Sequence, residues 1–168
     1  MAEYKDTNKP NKKSKFKQGY YKPDNLEKYV GDPTKIIYRS SWEYKFCRYC
    51  DATPQILAWS SEPFPIRYYD MVKQKERSYY VDFYIKVETF DAKVKEYLVE
   101  VKPESKLKPP VFPPNLKQTL KRLKQFNDLQ LEFLNNKSKK DAAEAFAATK
   151  GYRYMIVTEE FLNNQNIQ

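Results

Sequence analysis

Two short stretches decide the fold of this 168-residue chain, YYVDFYI at residues 79–85 and YLVEVK at residues 97–102. Both are rich in aromatic and β-branched residues, a composition typical of β-strands. The polar residues 88–95 between them predict a turn. The two strands are therefore expected to pair as a hairpin.

One helix and two extended segments are predicted before this hairpin. Residues 40–50 begin with a helix-capping pattern and then place apolar side chains at helical spacing, ahead of Pro54. Residues 56–59 predict a short buried strand, and residues 66–70 resume an extended pattern after two prolines. The polar residues 73–78 predict a connection that leads into the first strand of the hairpin.

Helices dominate the predicted structure after the hairpin. Residues 103–114 contain five prolines, which exclude a regular element. Leucines in residues 116–134 predict an amphipathic helix, and residues 138–149 predict a second, alanine-rich helix. A last strand at residues 152–157 and a terminal helix complete the prediction of an α/β fold, in which helices flank a mixed β-sheet.

The composition excludes most common catalytic centres. The chain has no histidine, which excludes Ser-His and Cys-His nucleophiles and His-ligated zinc or haem. Its formal net charge of +9 indicates a polyanionic partner, because Lys and Arg bind phosphates with release of counterions. No apolar run is long enough for a membrane span or a secretory signal, so the sequence predicts a cytoplasmic or virion protein.

Residues 1–35 are predicted to form a basic, flexible N-terminal tail, and residues 36–168 a single domain. The tail is rich in lysine and poor in apolar residues, which is typical of a solvated segment. The alternative is a DNA-binding arm, in which Lys12 and Lys13 contact phosphates.

Three charged side chains interrupt the apolar strands of the hairpin. Asp82 lies within the first strand, and Glu100 and Lys102 share one face of the second because they are two residues apart. One interpretation is a divalent-cation site, since two carboxylates supply hard oxygen ligands and Lys102 would act on the attacking water. The other is a cross-strand ion pair on a solvent-facing side. Geometry alone leaves both open.

These residues resemble the motif of the PD-(D/E)xK nuclease superfamily, with Glu43 on a helix, Asp82 on one strand and Glu-Val-Lys at residues 100–102 on the next. Val81 stands where the superfamily's name has proline. Within the superfamily, the chain looks most similar to the endonuclease subunits of heteromeric transposases and to the head completion nucleases of T-even-like phages. Its small size and lysine-rich N-terminus favour the phage group. The resemblance covers about residues 38–157.

The resemblance implies a restriction-endonuclease-like core and a DNA nuclease that depends on Mg²⁺, with Mn²⁺ able to substitute. It implies that Asp82, Glu100 and the backbone carbonyl of Val101 bind the metal. Lys102 would assist the attacking water, and Glu43 would complete the site through a water molecule or a second ion.

The same resemblance implies a role in head completion or head–tail joining. The expected partners are DNA and phage portal or connector proteins, and the expected location is the host cytoplasm and the virion. Two alternatives stay open: a non-catalytic joining protein of the virion, and a transposase-type subunit that cuts only with a partner.

Three other features near the predicted helix have structural interpretations. Ser40 and Glu43 form the pattern of a capping box, in which the glutamate bonds back to the helix start. Glu62 is a further acid near the site and is expected to be a solvated loop residue. Cys47 and Cys50 have CxxC spacing without a second ligand pair, which predicts buried packing positions and no function.

Basic side chains follow the second strand of the hairpin. These side chains are all positively charged and lie beside the expected phosphodiester site, which favours contacts to the DNA backbone. A solvated helix face is the alternative. Arg67 and Arg77 are further candidates, and no base-reading motif is present, so little sequence specificity is expected. The predicted phosphate contacts after the strand are Lys106, Lys108, Lys117, Lys121, Arg122 and Lys124.

Overall fold

The computed structural model of the chain describes Pro10 and residues 17–165. The strands in this part are β1 (Gly19–Tyr20), β2 (Ile37–Tyr38), β3 (Ile56–Ser61), β4 (Pro65–Asp70), β5 (Lys75–Tyr80), β6 (Phe83–Glu88), β7 (Val94–Val101) and β8 (Arg153–Val157). The helices are α1 (Ser41–Ala52), α2 (Leu120–Thr149) and α3 (Glu159–Asn164). None of these helices has the length and apolar composition needed to cross a membrane.

A four-stranded mixed sheet in the order β3-β6-β7-β8 forms the centre of the domain. The strands β3, β6 and β7 are antiparallel neighbours, and β8 runs parallel to β7. The predicted hairpin is the pair β6 and β7, in which Phe83 lies opposite Val99. The α/β fold with a mixed sheet flanked by helices is confirmed.

Alternation of side chains along the strands builds a separate core on each face of the sheet. Val99 packs with Phe46 of α1 on one face. Leu98 points to the other face, where it packs with Ala143 of α2. Glu100 follows Leu98 by two residues and therefore lies on the face that α2 covers.

Residues 79–85 do not form one strand, which corrects the prediction. The chain leaves β5 at Tyr80 and enters β6 at Phe83, with Val81 and Asp82 between them. β5 belongs to a separate two-stranded ribbon with β4, and it includes most of the segment predicted as a connection. Val81 is fully buried in the core under α2, so its packing interrupts the strand.

Residues 120–149 form one continuous helix where the sequence predicted two. No proline or glycine interrupts this segment. Its N-terminal half is mostly exposed, with Leu120 at 87% exposure, whereas Ala143 and Ala147 near its C-terminal end are buried on the sheet. The change in composition near Ser138 therefore marks the point where the helix reaches the sheet.

Part of the predicted tail packs against the domain. β1 pairs with β2, and Tyr21 is only 8% exposed within the core on the α1 side. Buried Asp51 of α1 accepts hydrogen bonds from the Tyr21 hydroxyl at 3.1 Å and from the backbone N–H groups of Asp24 at 2.7 Å and Asn25 at 3.0 Å. The boundary predicted at residue 36 therefore lies too late, because Asp51 satisfies the polar groups of this segment.

Replacing Asp51 should release this segment. Asp51→Asn keeps the shape but turns an NH₂ group toward hydrogen-bond donors, so the free energy of unfolding should fall by about 2 kcal/mol. Urea denaturation measures this change, and limited trypsin digestion should show faster cleavage after Lys28, which precedes Tyr29. Asp32→Asn is the matched control, since Asp32 is exposed and bonds only to its own turn at Thr34 and Lys35. Equal stability of Asp51→Asn and wild type would contradict the assignment.

Candidate active site

The break between β5 and β6 brings Asp82 against the end of β7. Its Oδ2 atom accepts a hydrogen bond from the Val101 backbone N–H at 2.8 Å. Burial, followed by the charges of Glu100 and Glu43, raises the pKa of Asp82 well above its ordinary value. Two carboxylates thus share a poorly solvated space, an arrangement that favours a bound cation.

The two carboxylate oxygens of Glu100 have different environments. Oε1 lies 3.1 Å from Nζ of Lys102, and the Glu100 residue is only 7% exposed. Oε2 is buried and has no hydrogen-bond partner among the described residues. An unsatisfied buried carboxylate oxygen is costly, and a hard divalent cation is a ligand that would satisfy it. The ion pair with Lys102 exists, but it lies on the covered face of the sheet rather than facing solvent.

Glu43 both caps α1 and faces the acid pair. Its backbone N–H donates to Ser40 Oγ at 3.1 Å, and its carboxylate accepts from Ser40 Oγ at 3.0 Å and from the Arg39 N–H at 2.7 Å. Burial raises the pKa of Glu43, and its charge contributes to the raised pKa of Asp82. Glu43 therefore both caps the helix and contributes charge to the site, two roles that the sequence presented as alternatives.

Glu62 is more than the solvated loop residue that was predicted. Its φ angle is +48°, and its N–H donates to the Asp82 carbonyl at 2.9 Å. Its carboxylate accepts from the Arg39 guanidinium, with Nη2 at 3.0 Å from Oε2. The turn at Glu62 thus holds the backbone at Asp82, and its ion pair with Arg39 places further charge beside Glu43.

The donor set fits an ion that is shared with a substrate. Within Pro10 and residues 17–165, no three acidic or cysteine side chains converge closely enough to enclose a metal. Asp82 and Glu100 provide two carboxylates, and Mg²⁺ is commonly held by one or two carboxylates together with water and substrate phosphate. The site therefore suits a hard ion with open positions and not a structural metal.

Three residues that the sequence did not single out surround the acid pair. Tyr79 of β5 and Tyr154 of β8 are partly buried there, and burial followed by the charge of Glu100 raises the pKa of each phenol. Lys139 packs on Tyr79 from α2, with its Nζ atom 5.3 Å from the ring centroid. The sequence offered one indication, because Lys139 lies four residues before Ala143 and therefore on the same face of the helix. Only the packing of α2 shows that this face is the one against the sheet.

The two cysteines have the structural role that was predicted. Cys47 and Cys50 are free thiols, fully buried in the core beside α1. Burial raises the pKa of both thiols well above their usual value. Since redox attack and metal binding require the thiolate, neither chemistry suits this position.

The predicted phosphate contacts lie at the surface, and some have acidic partners. Lys106 pairs with Glu132 at 2.8 Å, and Lys108 with Glu104 at 3.4 Å. Arg77 lies in β5 and pairs with Asp70 at 3.0 Å, so its guanidinium is held at the β4–β5 turn. Arg67 is exposed on β4, and Lys12 and Lys13 lie outside the described residues. The residues exposed at and before the start of α2 are Lys117, Lys121, Arg122 and Lys124.

Comparisons with known proteins identify the family of the chain. The sequence profile described as TnsA-like endonuclease N terminal matches residues 53–159, which contain Asp82, Glu100 and Lys102. The chain is also 37% identical over 144 residues to the head completion nuclease of Enterobacteria phage T4, an alignment that covers 86% of this chain and 92% of that protein. The resemblance inferred from the motif residues is confirmed, and the chain belongs to the TnsA-like endonuclease family.

Proposed function

We propose that this protein is a metal-dependent DNA nuclease of the PD-(D/E)xK type that acts in phage head completion. The observation that carries this proposal is the covered cluster of Asp82, Glu100 and Lys102, in which one Glu100 oxygen has no protein partner among the described residues. The names of the family and of the T4 relative support nuclease activity.

The proposed metal is Mg²⁺, for which Mn²⁺ would substitute. Asp82, Glu100 and the backbone carbonyl of Val101 would hold it, and Glu43 would assist through a water molecule. When bound, the ion supplies positive charge against the phosphate oxygens as negative charge develops on them.

The protein side chains act on the water and the phosphate. Lys102 is held by its ion pair with Glu100, where its ammonium orients the attacking water and offsets charge on the phosphate. The water oxygen bonds to phosphorus as the bond to the 3′ oxygen breaks. The water releases a proton to solvent and the 3′ oxygen takes one up, so the products carry 5′-phosphate and 3′-hydroxyl ends.

The exposed basic residues at and before the start of α2 are proposed to hold the DNA backbone. Contacts to phosphates alone carry no sequence information, which agrees with low sequence specificity. The proposed protein partners are the portal or head–tail connector of the phage.

Removing the charge of Asp82, Glu100 or Lys102 should strongly slow cleavage. Asp82→Asn, Glu100→Gln and Lys102→Met are each expected to slow Mg²⁺-dependent plasmid cleavage at least about 100-fold, because each acts where charge develops in the transition state. Glu96→Gln is the matched control, since Glu96 lies on the same strand as Glu100 and bonds instead to Tyr84 and Tyr152. Folded variants that cut at the wild-type rate would refute the proposed site.

Metal binding should also raise the melting temperature of the protein. An ion that binds only the folded state, at a concentration ten times its Kd, adds about 1.4 kcal/mol to the free energy of unfolding. Wild-type Tm should therefore rise with Mg²⁺ or Mn²⁺, and Asp82→Asn should remove this response. The same Tm increase in the Asp82→Asn variant would exclude Asp82 as a ligand.

In EDTA, Asp82→Asn should be more stable than wild type at neutral pH. A carboxyl whose pKa is raised on folding binds its proton more tightly in the folded state, so its ionisation destabilises the fold above the unfolded pKa. The amide removes the cost of burying a charge at this position and the repulsion from Glu100 and Glu43. The Tm difference should shrink as pH falls toward 4, and its absence at neutral pH would contradict this destabilisation.

Two substitutions should separate the capping role of Glu43 from its role in the site. Ser40→Ala removes the side-chain cap of α1 and should cost about 1 kcal/mol in urea denaturation. Its cleavage rate should stay at the wild-type level, because the Arg39 N–H still holds the Glu43 carboxylate at 2.7 Å. Glu43→Gln should lose cleavage at temperatures where it is fully folded, whereas a purely structural Glu43 would lose stability alone.

A further inference from the structure

Lys139 lies on the face of α2 that packs against the sheet. Residues 142, 143, 146 and 147 belong to the core on this side and recur at the spacing of one helical face. Lys139 continues this apolar stripe by one turn toward the helix N-terminus. A lysine at such a position loses hydration, so its presence calls for a specific interaction.

Aromatic rings of the β4–β5 ribbon hold the charged end of this lysine. Its Nζ atom lies 5.2 Å from the ring centroid of Tyr68 and 5.3 Å from that of Tyr79, within the range of cation–π attraction. The Tyr79 hydroxyl also donates to the Lys139 carbonyl at 3.0 Å. The ribbon thus fixes both the backbone and the ammonium of Lys139.

The acids of the active site influence Lys139 without pairing with it. Burial lowers the pKa of Lys139, and the charge of Glu100 and, more weakly, of Asp82 opposes that change. None of the ion pairs within the described residues includes Lys139, although its neighbour Lys140 pairs with Glu144 at 3.6 Å. Its ammonium is therefore oriented by aromatic rings and available to an incoming anion.

We propose that Lys139 is a further catalytic residue, which contacts a phosphate of the bound DNA beside Asp82 and Glu100. This inference rests on the nuclease function proposed above. Lys102 approaches from the end of β7 and Lys139 from α2, so the substrate phosphate would meet positive charge from both. Because the site is poorly solvated, each ammonium interacts with a phosphate more strongly than an exposed lysine does.

The test compares neighbouring lysines of one helix in the full chain. Lys139→Met is expected to lower the single-turnover cleavage rate at saturating plasmid DNA at least about tenfold, a smaller minimum loss than the ~100-fold found when a single charge-stabilising donor is removed. Lys139→Arg, which keeps the charge, should recover part of this loss. Lys140→Met should cleave at the wild-type rate, since Lys140 lies at the surface.

A binding measurement gives a second readout that a structural role would not change. For a short DNA duplex in EDTA, the slope of log affinity against log salt concentration should become shallower by about 0.9 in Lys139→Met, which corresponds to one lost phosphate contact. Lys140→Met should leave this slope unchanged. If Lys139→Met does not fold, Lys139→Gln carries the same expectations.

The outcomes separate this inference from the nuclease proposal. If wild type cleaves DNA and Lys139→Met matches it in rate and salt slope, the role of Lys139 is refuted and the nuclease function stands. A lower Tm with an unchanged rate for the folded protein likewise refutes it. If wild type does not cleave, the nuclease function fails, and the salt slope alone still decides whether Lys139 contacts phosphate.

Discussion

The hydrogen bond from the Val101 N–H to Asp82 is the contact on which the arrangement of the site depends. It joins the break between β5 and β6 to the end of β7 at 2.8 Å. Without the break, Asp82 would continue the period-two alternation of a strand. With it, the carboxylate lies beside Glu100, and the ribbon of β4 and β5 can turn away from the central sheet to meet α2.

Buried acids in this protein fall into two groups that differ in how many donors they face. Asp70 accepts from the N–H groups of Val72 and Lys73 and from the side chains of Arg77 and Asn135, and these donors, the Lys73 N–H above all, lower its pKa. Asp82 accepts from one backbone N–H, and its pKa is raised. Well-satisfied acids hold segments together, whereas Glu100 keeps one oxygen without a partner among the described residues, as the proposed metal site requires.

The stable parts of the fold offset the repulsion within the acid cluster. Asp51 ties residues 21–28 to α1, and Asp70 with Asn135 ties the β4–β5 turn to α2. The Glu62 turn and the cap of α1 lie nearest the site and position Asp82 and Glu43. These hydrogen-bonded elements therefore hold like charges close together, as a compromise between stability and function requires at the proposed active site.

The amino-acid sequence by itself determined the features that depend on local periodicity and composition. Period-two alternation places Glu100 and Lys102 on one face of a strand, and the absence of histidine excludes imidazole chemistry. Only the tertiary structure decided that YYVDFYI breaks at Val81 and Asp82, that residues 19–35 join the domain, and that Lys139 lies against Tyr68 and Tyr79. Each of these depends on contacts between residues far apart in the chain, namely the burial of Val81 under α2, the donors around Asp51 and the packing direction of α2. Local pattern carries no information on which distant groups will meet, because sheet order and helix packing are set by the whole core.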